Sequence, residues 1–159
     1  MKKFLSLTLA LIMALSLVAC GGGSGGENDT YELKFAGVDA EGIPSTEAMH
    51  WIAEQVAERT DGKVTMKVYP AGQLGEQKLM YEGIMDGSID MYLGYLDPTY
   101  GIEFDLTTIP FLASNYDQIA YICSKESNCY QLQAEACAKT DMVFLGFFLN
   151  GVNGIFSTK

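Results

Sequence analysis

Positive charge is scarce in this chain: ten lysines and arginines stand against twenty aspartates and glutamates, a formal net charge of -10 at pH 7. Nucleic acid and anionic lipid surfaces both need clustered Lys/Arg, so neither is an expected partner. The acidity does not point to a cationic substrate, because surface acids ordinarily serve solubility. Histidine is nearly absent. The single one, His50, lies beside Trp51 at the edge of an apolar stripe and has no paired nucleophile, so it reads as a solvated surface residue. There is no Ser-His-Asp set, no phosphate-binding Gly-Lys-Ser/Thr loop, no metal-ligand cluster and no dinucleotide fingerprint after the first strand. The expected protein is therefore not an enzyme and carries no cofactor. Glu76, Asp86 and Asp90 are accounted for by helix ends and turns rather than by acid-base work. Internal repeats are missing too.

Only one long apolar run is present, residues 4–18, and it is short for a membrane-spanning helix. Lys2 and Lys3 precede it and Leu17-Val18-Ala19-Cys20 follows, the form of a lipoprotein cleavage box. Residues 1–19 are expected to be a signal peptide, with lipid attached to Cys20. Losing its two lysines takes the formal charge from -10 to -12. Residues 20–30 are Gly/Ser-rich and form a flexible tether. About ten such residues span roughly 17 Å on average, enough to hold a domain clear of the lipid headgroups. The protein is expected outside the cytoplasm, anchored to the cell membrane.

Of the four cysteines, Cys123, Cys129 and Cys137 remain beyond Cys20. An odd number cannot all pair, and the spacing fits no zinc site. They read as small buried residues on two helices, with one disulfide as the alternative in an oxidising compartment.

The remaining 130 or so residues suffice for one modest α/β domain, expected over residues 31–150. Residues 31–36 alternate as a first strand. After a loop, Ser45 is expected to cap a helix with Glu47 in its first turn and a buried stripe of Met49, Ile52, Ala53, Val56 and Ala57. Asp61-Gly62 stops it, and Val64, Met66 and Val68 alternate as a second strand. Pro70, Gly72 and Gly75 then make a turn whose backbone amides are expected to remain free. A short helix follows with Leu79, Met80 and Ile84 on its apolar side, and Asp86-Gly87 ends it before a third strand at 89–94. This strand-helix-strand unit implies a parallel sheet. Beyond a loop at 95–109, Ser114 and Asp117 form a capping box for a helix to about residue 124, and a second helix covers 128–139. Residues 142–148 are almost continuously apolar, as in a central strand buried on both faces. Residues 151–159 read as a further strand or a crossover.

Four ordered blocks carry a family resemblance: V-Y-P-A-G-Q-L-G at 68–75, D-G-S-I-D-M at 86–91, I-P-F-L-A-S-N-Y at 109–116 and N-G-V-N at 150–153. Together they resemble the solute receptors of TRAP transporters, the DctP type, over residues 33–159. The resemblance implies one lobe of a type II periplasmic-binding-protein-like fold, a mostly parallel sheet flanked by helices, with the second lobe missing from this sequence. It implies capture of a small solute, an organic acid or related polar metabolite, for delivery to the small and large membrane subunits of the transporter.

In an open α/β sheet, ligands sit beyond the carboxyl ends of the strands, and the helix beginning near Ser45 aims its positive dipole end at that region. By resemblance, Tyr95 matches a ligand-contacting position and Asp39 lies near another; Asn150 and Asn153 fall in the N-G-x-R block, whose arginine holds the substrate carboxylate. Here that arginine is Asn153. An amide offers a neutral contact in place of a charge-assisted one, so Tyr92, Tyr95 and Tyr100 leave room for a more neutral ligand. Two rival readings are a lipoprotein remnant serving only as a structural or interaction module, and the receptor of an ATP-driven importer.

Overall fold

The computed structural model describes residues 30–149. The leader, Cys20 and most of the tether lie outside these residues, as do Asn150, Asn153 and the last expected strand or crossover.

Alternation in the first two strands becomes a three-stranded parallel sheet in the order β2-β1-β3. Strand β1 (Tyr31–Gly37) is central; β2 (Val64–Tyr69) pairs with it from Tyr31↔Val64 to Ala36↔Tyr69, and β3 (Met91–Leu93) from Phe35↔Met91 to Gly37↔Leu93. Helix α1 (Pro44–Arg59) connects β1 to β2, and α2 (Gln77–Asp86) connects β2 to β3. The expected parallel crossovers are present.

β3 is shorter than its sequence pattern suggests. The Asp90 carboxylate accepts from the Lys34 amide at 2.7 Å while the Asp90 amide donates to the Lys34 carbonyl at 3.2 Å, so a side chain occupies a place that ladder pairing would otherwise fill.

Helix α1 starts one residue before Ser45. Pro44 takes the first helical position, Ile43 is the cap residue without a side-chain bond, and Ser45 turns inward to Asp39 instead of capping. Met49 is buried, while Ile52, Ala53, Val56 and Ala57 are half-buried. The stop is as expected: Asp61 and Gly62 take left-handed φ values of 51° and 73°.

The turn after β2 is not a set of free amides. Ala71 N donates to Asp39 O at 2.8 Å, Gly72 N to Gly37 O at 3.0 Å, and Gly75 N to Gly72 O at 2.9 Å. A segment leaving one strand thus fastens the end of its neighbour, because buried peptide donors need partners.

Helix α2 is wedged between two small cores. Met80 packs with Ala36 and Ile89 against the sheet; Tyr81 packs with Phe104, Ala136, Cys137 and Met142 on the opposite side; Ile84 touches both groups. Met80 and Tyr81, adjacent in sequence, are both fully buried. Leu79 faces outward at 58 % exposure, contrary to the expected apolar side, since the two burying faces are taken by its neighbours. Gly87 ends the helix at φ 77° as expected.

Two 3-10 segments, Pro98–Tyr100 and Ile102–Thr108, occupy the expected loop. Helix α3 (Tyr116–Cys123) is capped one residue later than the sequence suggests: Asn115 accepts from Gln118 N at 2.9 Å, and the Gln118 side chain accepts from Ser114 N at 2.7 Å. Asn outranks a Ser-Asp pair here because its reciprocal partner, Gln118, is long enough to reach back. Helix α4 (Asn128–Ala138) has Ser127 as its cap.

Residues 142–149 carry no strand. Val143 is 82 % and Leu145 66 % exposed, and Phe144 and Phe147 pack edge to face with centroids 4.9 Å apart, both against Tyr130 of α4. A continuous apolar run does not by itself specify a buried strand. Among the described residues, no helix is long and apolar enough to cross a membrane.

Candidate functional site

Gly37 and Leu93 are register partners, so the segments leaving β1 and β3 emerge side by side at the carboxyl edge of the sheet. Asp39 lies on the first segment and Tyr95 on the second. This is the place where a parallel sheet exposes backbone and side chains to a ligand.

Asp39 is held from three directions. Its carboxylate accepts from the Ser45 hydroxyl at 2.5 Å, and its carbonyl accepts from Thr46 Oγ1 at 3.1 Å and from Ala71 N at 2.8 Å. Ser45 and Thr46 are both buried in the first turn of α1. The helix start therefore fixes the loop.

Tyr95 is 60 % exposed, and its carbonyl is anchored by Gln77 Nε2 at 3.1 Å from the start of α2. Tyr92 lies two positions before Gly94, half-buried against the Ala36–Met80–Ile89 core. Its hydroxyl reaches back to the Tyr95 carbonyl at 3.5 Å. Burial and the nearby Asp39 charge push the Tyr92 phenol up to about 12, so it is a neutral donor at physiological pH. Tyr100 does not join this edge. Its hydroxyl donates to Glu82 Oε1 at 2.8 Å and its ring lies 4.7 Å from that of Tyr81, which makes it part of the core.

Three contributors escaped the sequence reading: Thr46, Gln77 and Gly94. Gly94 had a legible signal, a glycine at the end of a strand, which often marks close approach. A Cβ there would overlap the Tyr92 phenol. Thr46 and Gln77 act through contacts across 7 and 18 residues and gave no local sign. His50 behaves as expected, half-exposed with Nε2 3.1 Å from Glu41. A shallow open groove between Phe111 and Ile122 is remote in sequence from this edge and is lined by exposed side chains such as Phe111 and Tyr121.

The edge offers a carboxylate acceptor, a neutral phenol, an exposed aromatic ring and backbone groups. Hydroxyl and carboxylate acceptors, an aromatic face and backbone groups are the kinds of groups that line small-molecule binding sites.

The family profile of bacterial extracellular solute-binding proteins, family 7 (DctP), matches residues 35–159. A solute-binding protein of Chromohalobacter salexigens is 27 % identical over 117 residues, which are 72 % of this chain and 34 % of that protein. Among solved structures, a TRAP periplasmic solute binding protein of Citrobacter koseri with bound D-glucuronate is 29 % identical; the match covers 72 % of this chain and 39 % of that one, with a TM-score of 0.62. One from Desulfovibrio desulfuricans with bound sn-glycerol-3-phosphate is 25 % identical, covering 69 % of this chain and 37 % of that one at a TM-score of 0.62. This chain thus spans between a third and two fifths of the length of these relatives. Their fold is of the periplasmic-binding-protein type, and the described residues form part of one lobe of it. These relatives are solute-binding proteins, not enzymes. With the profile covering most of its length, the chain belongs to the DctP family of bacterial extracellular solute-binding proteins.

Proposed function

We propose that the chain supplies the first lobe of an extracytoplasmic receptor that captures a small organic acid or related polar metabolite for a TRAP-type secondary transporter. The observation that supports this reading is that the segments carrying Asp39 and Tyr95 leave the register partners Gly37 and Leu93 at the carboxyl edge of a sheet, in a chain of this family. Relatives at 29 % and 25 % identity hold D-glucuronate and sn-glycerol-3-phosphate, both small hydroxylated anions. Asp39 would accept from a ligand hydroxyl, Tyr95 would cover a ligand face, and Asn150 and Asn153 would donate amide hydrogen bonds. With Asn153 at the arginine position, the carboxylate contact is weaker and hydroxyl contacts weigh more. The small and large membrane subunits of the transporter are the partners, and a lipid on Cys20 is the anchor. The receptor function involves no chemistry; ligand contacts to two lobes would favour a closed state.

Calorimetric titration with D-glucuronate, succinate and a neutral sugar tests this. Saturable heat for at least one acid, abolished by Asp39→Ala combined with Tyr95→Ala, is the expected result. Because a single lobe is expected to bind weakly, the titration is made on a receptor that includes the second lobe; heat from none of the acids there would remove the transport reading and leave an interaction lipoprotein. The lipid anchor is checked separately, by an intact mass that responds to globomycin.

A further inference from the structure

Helix α2 is fixed at its middle, because Met80 and Tyr81 are both fully buried, one in each of the two small cores. The start of the helix is therefore a steady platform. Glu76 stands at the cap position without a side-chain bond, and Gln77 is the first helical residue. The Gln77 side chain reaches across 18 residues of sequence, with Nε2 donating to the Tyr95 carbonyl at 3.1 Å. The Tyr92 hydroxyl approaches the same oxygen at 3.5 Å, the outer limit of a hydrogen bond. Gly94 leaves the room for it, since a Cβ there would overlap the phenol.

A carbonyl oxygen has two lone pairs, so donors from α2 and β3 engage the Tyr95 carbonyl from the protein's side. What Tyr95 offers a solute is its ring, which is 60 % exposed. The other loop of the edge is held alike: the Asp39 carbonyl accepts from Thr46 Oγ1 in the first turn of α1 at 3.1 Å. The two holders differ in burial. Thr46 is fully buried, so its removal would disturb packing as well, whereas Gln77 is half-buried at the surface. The role of Gln77 can therefore be separated from stability.

We propose that Gln77 is a positioning residue of the solute site: by holding the Tyr95 carbonyl it fixes the main chain from which the Tyr95 ring covers the solute. The inference rests on the receptor reading and deepens it. Gln77 acts through Tyr95 and does not itself touch the solute. A segment ordered in advance loses less freedom on binding, so the effect falls on affinity. Folding depends little on the same bond, because water replaces a donor that is only half-buried.

Gln77→Met tests it, since methionine keeps the length and helix preference of the side chain and removes the donor. The variant is made in a receptor that includes the second lobe and titrated with the acid that the unaltered receptor binds, D-glucuronate or succinate. Affinity is expected to fall about three- to tenfold, with the thermal midpoint unchanged within about 2 °C. Two resonances report the route. The Tyr95 carbonyl carbon should move upfield before any solute is added, as the hydrogen bond is lost. The Tyr95 ring resonances at saturating solute should differ from those of the unaltered receptor, which a role confined to helix stability would not produce. Equal affinity, an unmoved Tyr95 carbonyl carbon, a midpoint that falls in step with affinity, or unchanged ring resonances at saturation overturn the proposal. If the unaltered receptor binds neither acid, the receptor reading fails and this role falls with it; if it binds and Gln77→Met binds equally, only the positioning role fails.

Discussion

The two halves of the described structure solve the same problem differently. Residues 31–93 are organised around the sheet: β1 is paired on both edges, α1 and α2 connect neighbouring strands, and the turn after β2 fastens the end of β1. Residues 95–149 contain no strand and leave Ile102, Phe111, Val143 and Leu145 between 66 % and 95 % exposed. A sheet supplies long-range order through regular bonding between chains, whereas helices and 3-10 turns satisfy their peptides locally and bury only what neighbours cover. The proposed binding edge lies on the sheet-bearing half, which suits a site that must hold fixed distances.

The sharpest way to break that comparison is to empty the ordered half. Phe35→Ala removes a fully buried ring from the central strand and should cost about 3–5 kcal/mol, read as a lower denaturant midpoint. Gly94→Val should cost about 1–3 kcal/mol by driving a side chain into Tyr92, and it should disturb the Tyr95 carbonyl with it.

pH gives a smaller, graded test. Tyr81 and Tyr92 are both raised from 10.0 to about 12, chiefly by burial, so the fold favours their neutral forms. Their contribution is fully present below pH 10 and is lost as pH rises from 10 to 12. Urea midpoints should hold up to about pH 9 and then fall, and Tyr92→Phe should make that fall shallower. Leu145→Lys should change stability by less than ~0.5 kcal/mol, because the side chain is exposed, while improving solubility measured by light scattering.

Legibility in the sequence follows the same division. The crossovers were readable because their signals are local: alternation in the strands, Pro70 after β2, Asp86-Gly87 after α2. Ser45 misled because its capping chemistry is the same chemistry that lets it bond Asp39, and Pro44 had already fixed the helix start. Ser114-Asp117 and Asn115-Gln118 both fit a capping box one residue apart, and only the folded backbone chose between them. Residues 142–148 satisfied the description of a buried strand, but burial depends on a neighbour that the sequence pattern does not encode. Asp39 and Tyr95 came from family resemblance, and each lies two residues beyond the register partners Gly37 and Leu93. Thr46 and Gln77, which hold the backbones of those two, are visible only through long-range bonds.

The binding edge itself is tested most directly by amide chemical-shift mapping of the chain titrated with D-glucuronate, which detects weak contacts. The account predicts saturable shifts concentrated at residues 37–46 and 92–97, with the groove between Phe111 and Ile122 unchanged. Shifts confined to that groove, or saturable binding that leaves Asp39 and Tyr95 unmoved, would contradict it.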